Sequence, residues 1–500
     1  MKKIIVEALH AGIKKIPKIN KAYDLSFFSE TIERTRDSSH GDFTSNIALR
    51  LAKSLKRNPR ELANEIFNCI PKNNAIEKIE VAGPGFMNFY LDDSAYHTEI
   101  ERILSKKNLI EKNKEFKKQK LLLEFVSANP TGPLHVGHGR HAAFGASLRN
   151  ILEAVGYDVK SEYYVNDSGR QMDILCISVI VHILRGENQK ISMPSAGYQG
   201  QYIKTISQAI EQKFDEDKIK IKELVPKIND KDNRDQYIDC LIENTKRIIG
   251  TEKFNQIKNQ SLEYIKKDIQ DDLSEFGVLF DSWFSEESMD KNGELDRAIQ
   301  SLKKKDYLYE KDGATWFKAT DLGDEKDRVV IRKNQNKTYF TSDIVYHHNK
   351  KERGFDTLID ILGSDHHGYI ARVKAGLEAM GHNSDDLDVQ LVQFVSLYEN
   401  GVKQAMSTRS GEFITLRQLR EEVGNDAARF FYIMRSNEQH LDFDLALAKS
   451  KTSENPVYYI QYAHARIASV INQLNEKSLK YDKKRGISNL RLLVTKKERE

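Results

Sequence analysis

Residues 121–126, Leu-Leu-Leu-Glu-Phe-Val, constrain the fold more than any other part of the chain. So short an apolar run, followed by a Gly/Pro/Asn-rich loop, suits a strand buried on both faces of a parallel sheet. Beyond the loop, Ala142, Ala143, Ala146, Leu148, Ile151, Leu152 and Val155 recur at helical spacing and predict a long helix with one buried side. Gly156 ends it, and residues 158–165 read as the next strand. Strand, loop, helix, strand is the opening of a doubly wound (Rossmann-like) α/β fold, whose ligands bind at the carboxyl ends of the strands. Further strands are predicted at 356–362 and 388–395, while the helical, charged stretch from about 185 to 300 reads as an insertion.

At 500 residues the chain exceeds what one core organises. Three domains are predicted: an N-terminal α/β domain over 1–115, the Rossmann-like domain over 116–450, and a C-terminal α-helical domain beginning over 451–500. In the first, Ile4, Ile5, Ala8, Leu9, Ile13 and Ile16 form one apolar helical stripe. Asn58-Pro59-Arg60-Glu61 is a helix start with a capping Asn, and residues 81–91 read as a turn into a short strand. The polar, lysine-rich segment 106–120 reads as a linker. From about Asn455 onward, Tyr458, Tyr459, Ile460, Tyr462, Ala463 and Ile467 predict a helix with an aromatic-rich face.

Composition narrows the classes. The charge balance, 78 basic against 74 acidic residues for a net +4, is too mild to argue for or against a nucleic-acid partner. Runs such as Lys14-Lys15, Lys117-Lys118 and Lys303-Lys304-Lys305 are ordinarily solvated faces. Cys69, Cys176 and Cys240 lie far apart with no C-x-x-C spacing, which speaks against a disulfide framework or a structural zinc. Glu7 and His10 interrupt the first apolar run, and no stretch approaches the ~20 apolar residues of a membrane span. A cytoplasmic protein with no membrane association is expected.

The chemistry concentrates at Ser127-Ala-Asn-Pro-Thr-Gly-Pro-Leu-His135-Val-Gly137-His138. Two histidines three apart, with a glycine between them, sit where a strand gives way to a helix. Free backbone N–H groups and the positive end of the helix dipole favour an anion there. The imidazoles can donate to phosphate oxygens, and glycine permits close backbone approach. A zinc pair is the rival, but no Glu between them and no third ligand at metal spacing is visible. A bare H-x-x-H is more often a pair of surface histidines; the preceding strand and the Asn-Pro-Thr-Gly-Pro lead-in reverse that preference.

This segment resembles the HIGH signature of class I aminoacyl-tRNA synthetases, in the form A-N-P-T-G-P-L-H-V-G-H-G-R similar to bacterial arginyl-tRNA synthetases. Gln404-Ala-Met-Ser-Thr-Arg-Ser-Gly411 resembles a degenerate KMSKS loop, with Ala405 and Thr408 in the lysine positions and Arg409 and Lys403 as the remaining cations. Further segments resemble the same family: 164–171, 40–47 and 82–88, and the 441–445 and 455–466 entry into a helical anticodon-binding domain. In the family that domain continues beyond the point where Glu500 falls.

The resemblance implies an ATP-dependent arginine ligase in which His135, Gly137, His138, Met406, Ser407 and Arg409 are catalytic. ATP, with Mg²⁺, is expected on Pro130, His135, Gly137, His138, Gly363, Asp365, His366, Met406 and Ser407. A guanidinium stays charged and presents planar donors, so its pocket needs fixed carboxylates. Substrate arginine is accordingly expected on Glu286, Tyr339 and Asp343, with Ser127, Asn129 and His367 beside it. Asp343, near a helix start, is expected to stay ionised. Asp42, Phe43 and Asn46 of the N-terminal domain are expected to touch tRNA(Arg). Tyr459 and Tyr462 either stack on its anticodon bases or pack as core, the second being slightly favoured. A monomer with no protein-bound metal is expected. The rivals are another class I synthetase, a tRNA-independent adenylate-forming relative, and a non-catalytic RNA-binding paralogue.

Overall fold

The computed structural model describes residues 1–16, 19, 25–105, 110, 112–113, 116–185, 191–211, 221–404, 414–495 and 498. Two compact units emerge, Met1–Ile110 with Arg466–Glu500, and Glu111–Ala465. The predicted linker falls partly outside the described residues, with a 3₁₀ turn at Phe116–Lys118.

In the first unit the helix Lys2–Ile13 buries Ile5, Ala8, Leu9 and Ile13 as its stripe requires, and Ile16 just beyond it is buried too. Asn58 caps the helix Pro59–Cys69, its Oδ1 accepting from Arg60 N at 2.9 Å and Glu61 N at 3.3 Å. Residues 81–91 contain more than a turn and one strand. Strands Ile76–Ala82 and Phe86–Leu91 flank the turn and pair antiparallel in a four-stranded sheet with Ile32–Arg34 and Phe43–Ser45.

The second unit is built on five parallel strands. In chain order these are β1 (Lys120–Glu124), β2 (Asp158–Val165), β3 (Ser282–Ser285), β4 (Thr357–Gly363) and β5 (Leu387–Val392). They lie in the order β5-β4-β1-β2-β3. Strand order therefore reverses beside β1, and a crevice opens between the carboxyl ends of β1 and β4. Between β1 and β2 runs α1 (Val136–Val155), closed by Gly156 at φ 120°. Ala142, Ala143 and Ala146 are buried, whereas Ile151 is 57% exposed and not part of the core side. Close packing explains the small residues: a Cβ on Gly145 would sit 2.3 Å from the Phe125 ring, and one on Gly139 2.6 Å from the Tyr432 hydroxyl.

Two sequence expectations change. The helices Arg234–Ile249 and Thr251–Glu275 fit a helical insertion, but β3, inside the stretch assigned to it, pairs with β2 as the sheet's edge. Four residues lying beside a helical segment are too few for a visible strand period. The strand expected at 388–395 divides: β5 ends at Val392, and Val395–Glu399 belongs to a separate small sheet with Leu441–Asp444 and Val402–Lys403.

The sheet interior carries an unusual polar row. Asp360 of β4 is in register with Glu124 of β1, which is in register with Glu162 of β2. In-register residues on neighbouring parallel strands share a face, and all three carboxylates are buried. Across them lies α2 (Tyr339–Glu352), which with Arg353 at its C-cap presents Tyr346, His347, Lys350 and Arg353, at helical spacing. Lys350 Nζ donates to Glu124 Oε2 at 2.6 Å and Asp360 Oδ1 at 2.7 Å. Arg353 grips Glu162 with two bonds, at 2.6 and 2.7 Å, and Tyr346 donates to it at 2.8 Å. His347 Nδ1 faces Asp343 O and its Nε2 faces Asp360 Oδ2, both at 2.7 Å. Both partners are oxygens, so His347 joins the network through both of its ring nitrogens.

Removing one partner of such a network strands buried charge, at a cost of roughly 3–5 kcal/mol. Lys350→Met is expected to lower the unfolding free energy by about that amount, measured by urea denaturation. A loss below about 1 kcal/mol, the range of exposed pairs, would show that the network is not a supporting element.

Candidate active site

The crevice is a cleft of about 730 Å³ at the sheet's carboxyl edge. Ser127, Asn129, His135, Gly137 and His138 come from the β1–α1 loop and helix start; Tyr339 and Asp343 from α2; Gly363, Asp365 and His366 from the turn after β4. Ten of the sequence-predicted residues thus converge although they span more than 230 positions.

The β1–α1 connection bends sharply. Val126 has φ 67° and Ser127 φ 40°, and Ser127 N donates back to Phe125 O at 3.0 Å. A β-branched residue at positive φ is strained, and such strain persists only where surroundings over-determine it. Here Ser127 Oγ donates to Glu124 at 2.9 Å and accepts from Tyr164 N at 3.1 Å, while Tyr163 Oη holds Ala128 O at 2.8 Å. The bend aims the loop over the cleft.

His135 is the N-cap of α1. Its Nδ1 accepts from Gly137 N at 3.1 Å, and His138 Nδ1 accepts from His135 N at 3.3 Å. With both Nδ1 atoms accepting, each ring carries its proton on Nε2 and can donate it outward. The rings stack with centroids 3.6 Å apart. Burial pushes His135 down to about 4 and His138 well below its ordinary value, so both are neutral donors at pH 7. Gly137 is required by this stack: a Cβ there would lie 2.9 Å from His135 Cε1 and 3.0 Å from Nδ1.

The opposite wall is acidic. Burial pushes the Asp343 carboxyl up to about 7; a Tyr369 hydrogen bond and His347 oppose this, and Glu286 and Glu124 reinforce it. The expectation that Asp343 stays ionised as an ordinary carboxylate is therefore corrected, because it lies one turn inside α2 and is desolvated rather than exposed at a helix start. Glu286 is also raised by burial, with Ser342, Tyr164 and Ser168 hydrogen-bonding to it. Its Oε2 is buried with no hydrogen-bond partner among the described residues. Two destabilised acids with spare acceptor capacity form a place for a buried cation with several N–H donors.

Other expected residues stand elsewhere. Glu286 backs the cleft without lining it; Pro130 is buried beneath the loop, and His367 is exposed on the turn and outside the lining. Met406, Ser407 and Arg409 lie outside the described residues. The chain re-enters beside the histidines, where Leu416 N donates to Leu134 O at 2.8 Å and Thr415 bridges His135. In the first unit Phe43 is buried in the core, so packing and not an exposed nucleic-acid contact accounts for it. Asp42 is engaged with Leu91 N and the Tyr96 hydroxyl, while Asn46 Oδ1 is buried without a hydrogen-bond partner among the described residues. Tyr459 and Tyr462 are 60% and 47% exposed, so the favoured core reading for them is overturned: their helix turns that face outward among the described residues.

Sequence reasoning missed Glu124, Asp360, His347, Tyr369 and Lys350. A signal existed for the acids: Glu124 and Asp360 each interrupt an apolar strand, and a buried charge requires a partner. Nothing local points to Lys350 as that partner.

Two family models match the chain: "tRNA synthetases class I (R), catalytic domain" over residues 99–467 and "Arginyl tRNA synthetase N terminal domain" over residues 1–91. A Legionella pneumophila protein named arginine--tRNA ligase is 51% identical over 472 residues, covering 93% of this chain and 80% of the relative. A Hydrogenovibrio crunogenus protein of the same name is 48% identical, covering 100% and 86%. Among solved structures, an arginyl-tRNA synthetase of Campylobacter jejuni is 33% identical with a TM-score of 0.63, covering 78% of this chain and 77% of that one. That of Thermus thermophilus, 18% identical, shares the fold with a TM-score of 0.68 over 96% of this chain and 83% of its own.

Gly137→Ala is expected to force the stacked imidazoles apart, an overpacking cost of roughly 1–3 kcal/mol. Calorimetric titration with AMP is expected to show about tenfold or weaker binding; unchanged affinity would remove the histidine pair from the nucleotide site.

Proposed function

The chain belongs to the class I arginyl-tRNA synthetase family, and from that premise we propose the roles of its individual residues in the reaction. It is an arginine--tRNA ligase: arginine is activated with ATP and transferred to tRNA. We assign the guanidinium to Asp343, Glu286 and Tyr339, with Asn129 and Ser127 at the α-amino and carboxylate end. One observation carries this assignment: two acids with raised pKa, the half-buried Asp343 and the buried Glu286 with its orphaned oxygen, lie across the cleft from neutral histidine donors. A bidentate carboxylate–guanidinium match rejects analogues that lack those donors, by roughly 10⁴–10⁵.

ATP, taken with Mg²⁺, is assigned to the β1–α1 loop and the turn at Gly363, Asp365 and His366. The arginine carboxylate attacks the α-phosphate in line, arginyl-adenylate forms, and pyrophosphate leaves. The Nε2–H groups of His135 and His138 donate to phosphate oxygens as charge develops, and the α1 N-terminus adds its dipole. No protein nucleophile is needed; positioning and electrostatics carry the step. Met406, Ser407 and Arg409 are assigned to the leaving pyrophosphate. The ribose hydroxyl of the tRNA 3′ end then takes the arginyl group. The exposed Tyr459 and Tyr462 are assigned to anticodon bases, which stack on aromatic faces. The protein is taken as a cytoplasmic monomer; no helix of the described residues is long and apolar enough to cross a membrane.

Pyrophosphate exchange and tRNA charging with arginine test the roles. His138→Ala is expected to lower the activation rate by about 10²–10³, the effect of removing one transition-state donor. Wild-type rates in that variant, or exchange with another amino acid, would overturn the assignment.

The pH dependence follows from Asp343. Its carboxyl sits at about 7 in the free site, and a neighbouring guanidinium favours the ionised form. Arginine binding therefore releases a proton below about pH 7 and none well above it. Affinity is expected to climb by up to about tenfold per pH unit on approach to 7 and then level off, with Asp343→Asn abolishing the slope. A flat wild-type profile across that window would place the guanidinium elsewhere.

A further inference from the structure

The flank of α2 turned away from the carboxylate row carries His348 and Glu352, one helical turn apart. The turn after α3 (Ile370–Ala379) brings His382 against them. His348 Nδ1 and His382 Nε2 are 2.8 Å apart, and Glu352 Oε1 is 3.9 Å from His382 Nε2. All three donor atoms fall within 4.8 Å of one another. None of the three residues lines the cleft.

We propose that His348, Glu352 and His382 form a binding site for a divalent transition-metal ion of the zinc type. Two imidazole nitrogens and one carboxylate oxygen are a ligand set that zinc, nickel and copper accept, and one that leaves a position for water. Two ring nitrogens this close must have either a proton or a metal ion between them. With metal–nitrogen bonds of about 2.0–2.1 Å, tetrahedral ligands stand about 3.3 Å apart, so the rings need open by only about half an ångström. Lys305, Lys351, Glu294 and Glu352 are the charged groups acting on the two rings. Lys305 is committed to Ala379 O at 3.0 Å and Met380 O at 3.1 Å, and Glu352 supplies the negative ligand. The spacing rules for cysteines could not reveal this set, because its two histidines are 34 residues apart in sequence and it contains no thiol. A bound ion would pin α2, the helix that carries Asp343 and Lys350, to the segment entering β5.

Zn²⁺ titration of the untagged full chain against a competing indicator tests the site. We expect one equivalent bound by the wild type, with the dissociation constant raised about tenfold or more in His348→Ala, Glu352→Gln and His382→Ala. His440→Ala, far from the site in sequence and outside the ligand set, should bind as the wild type does. Glu352 is 64% exposed, so Glu352→Gln tests the ligand without disturbing the core. Zn²⁺ should also raise the melting temperature of the wild type and not of His382→Ala. Equal affinity in the wild type and all three ligand variants would overturn the proposal, as would a chain that takes up no zinc.

Discussion

Three carboxylates in register across a buried parallel sheet must be neutralised, and α2 does so. Glu124, Asp360 and Glu162 would each be costly to bury alone. Burial works to raise all three. In Glu162 it is overcome by the Arg353 hydrogen bonds, and in Asp360 by Lys350 and His347, whereas Glu124 remains raised. The consequence is geometric. Once Lys350 and Arg353 are committed to the sheet, the rotation and height of α2 are set, and with them the position of Asp343 about two to three turns earlier.

That placement determines the chemistry of the cleft. Asp343 on the cleft wall and Glu286 buried behind it form no ion pair with a Lys or Arg among the described residues. Their raised carboxyls are the electrostatic mark of a site completed by a positive ligand. On the facing wall the backbone does equivalent work: by donating to both Nδ1 atoms, the first turn of α1 fixes the tautomers of His135 and His138 and aims two neutral donors outward. On the proposed assignment, one side offers acceptors to the guanidinium and the other donors to phosphate.

The histidine wall is anchored by hydrogen bonds from α1 to elements behind it. Arg140, almost fully buried in α1, donates to Gln393 O, Ser436 O and Gln439 O, all at 2.8 Å, and Tyr432 Oη holds Val136 O at 2.7 Å. These bonds tie the histidine helix to the segment after β5 and to the helical layer beyond it. Gly139 permits the approach, since any side chain there would meet Tyr432.

Sequence alone determined what depends on local pattern. The apolar run before the Asn-Pro-Thr-Gly-Pro loop, the alanine face of α1 and the glycine at its end specify a βαβ unit and place the histidine pair at its turn. Spacing also made Asn58 a cap, whereas the need for Gly137 beside the stacked imidazoles came from the structure. Local pattern failed where an element was too short to show a period, as at β3, or where one run served two sheets, as at 388–395. Only the tertiary structure decided that Asp343 is a desolvated acid, that Phe43 is core, that Tyr459 and Tyr462 face outward, and that Lys350 answers two acids at once. Protonation and burial are properties of a residue's surroundings, and those surroundings come from segments far away in sequence, 226 positions in the case of Lys350 and Glu124.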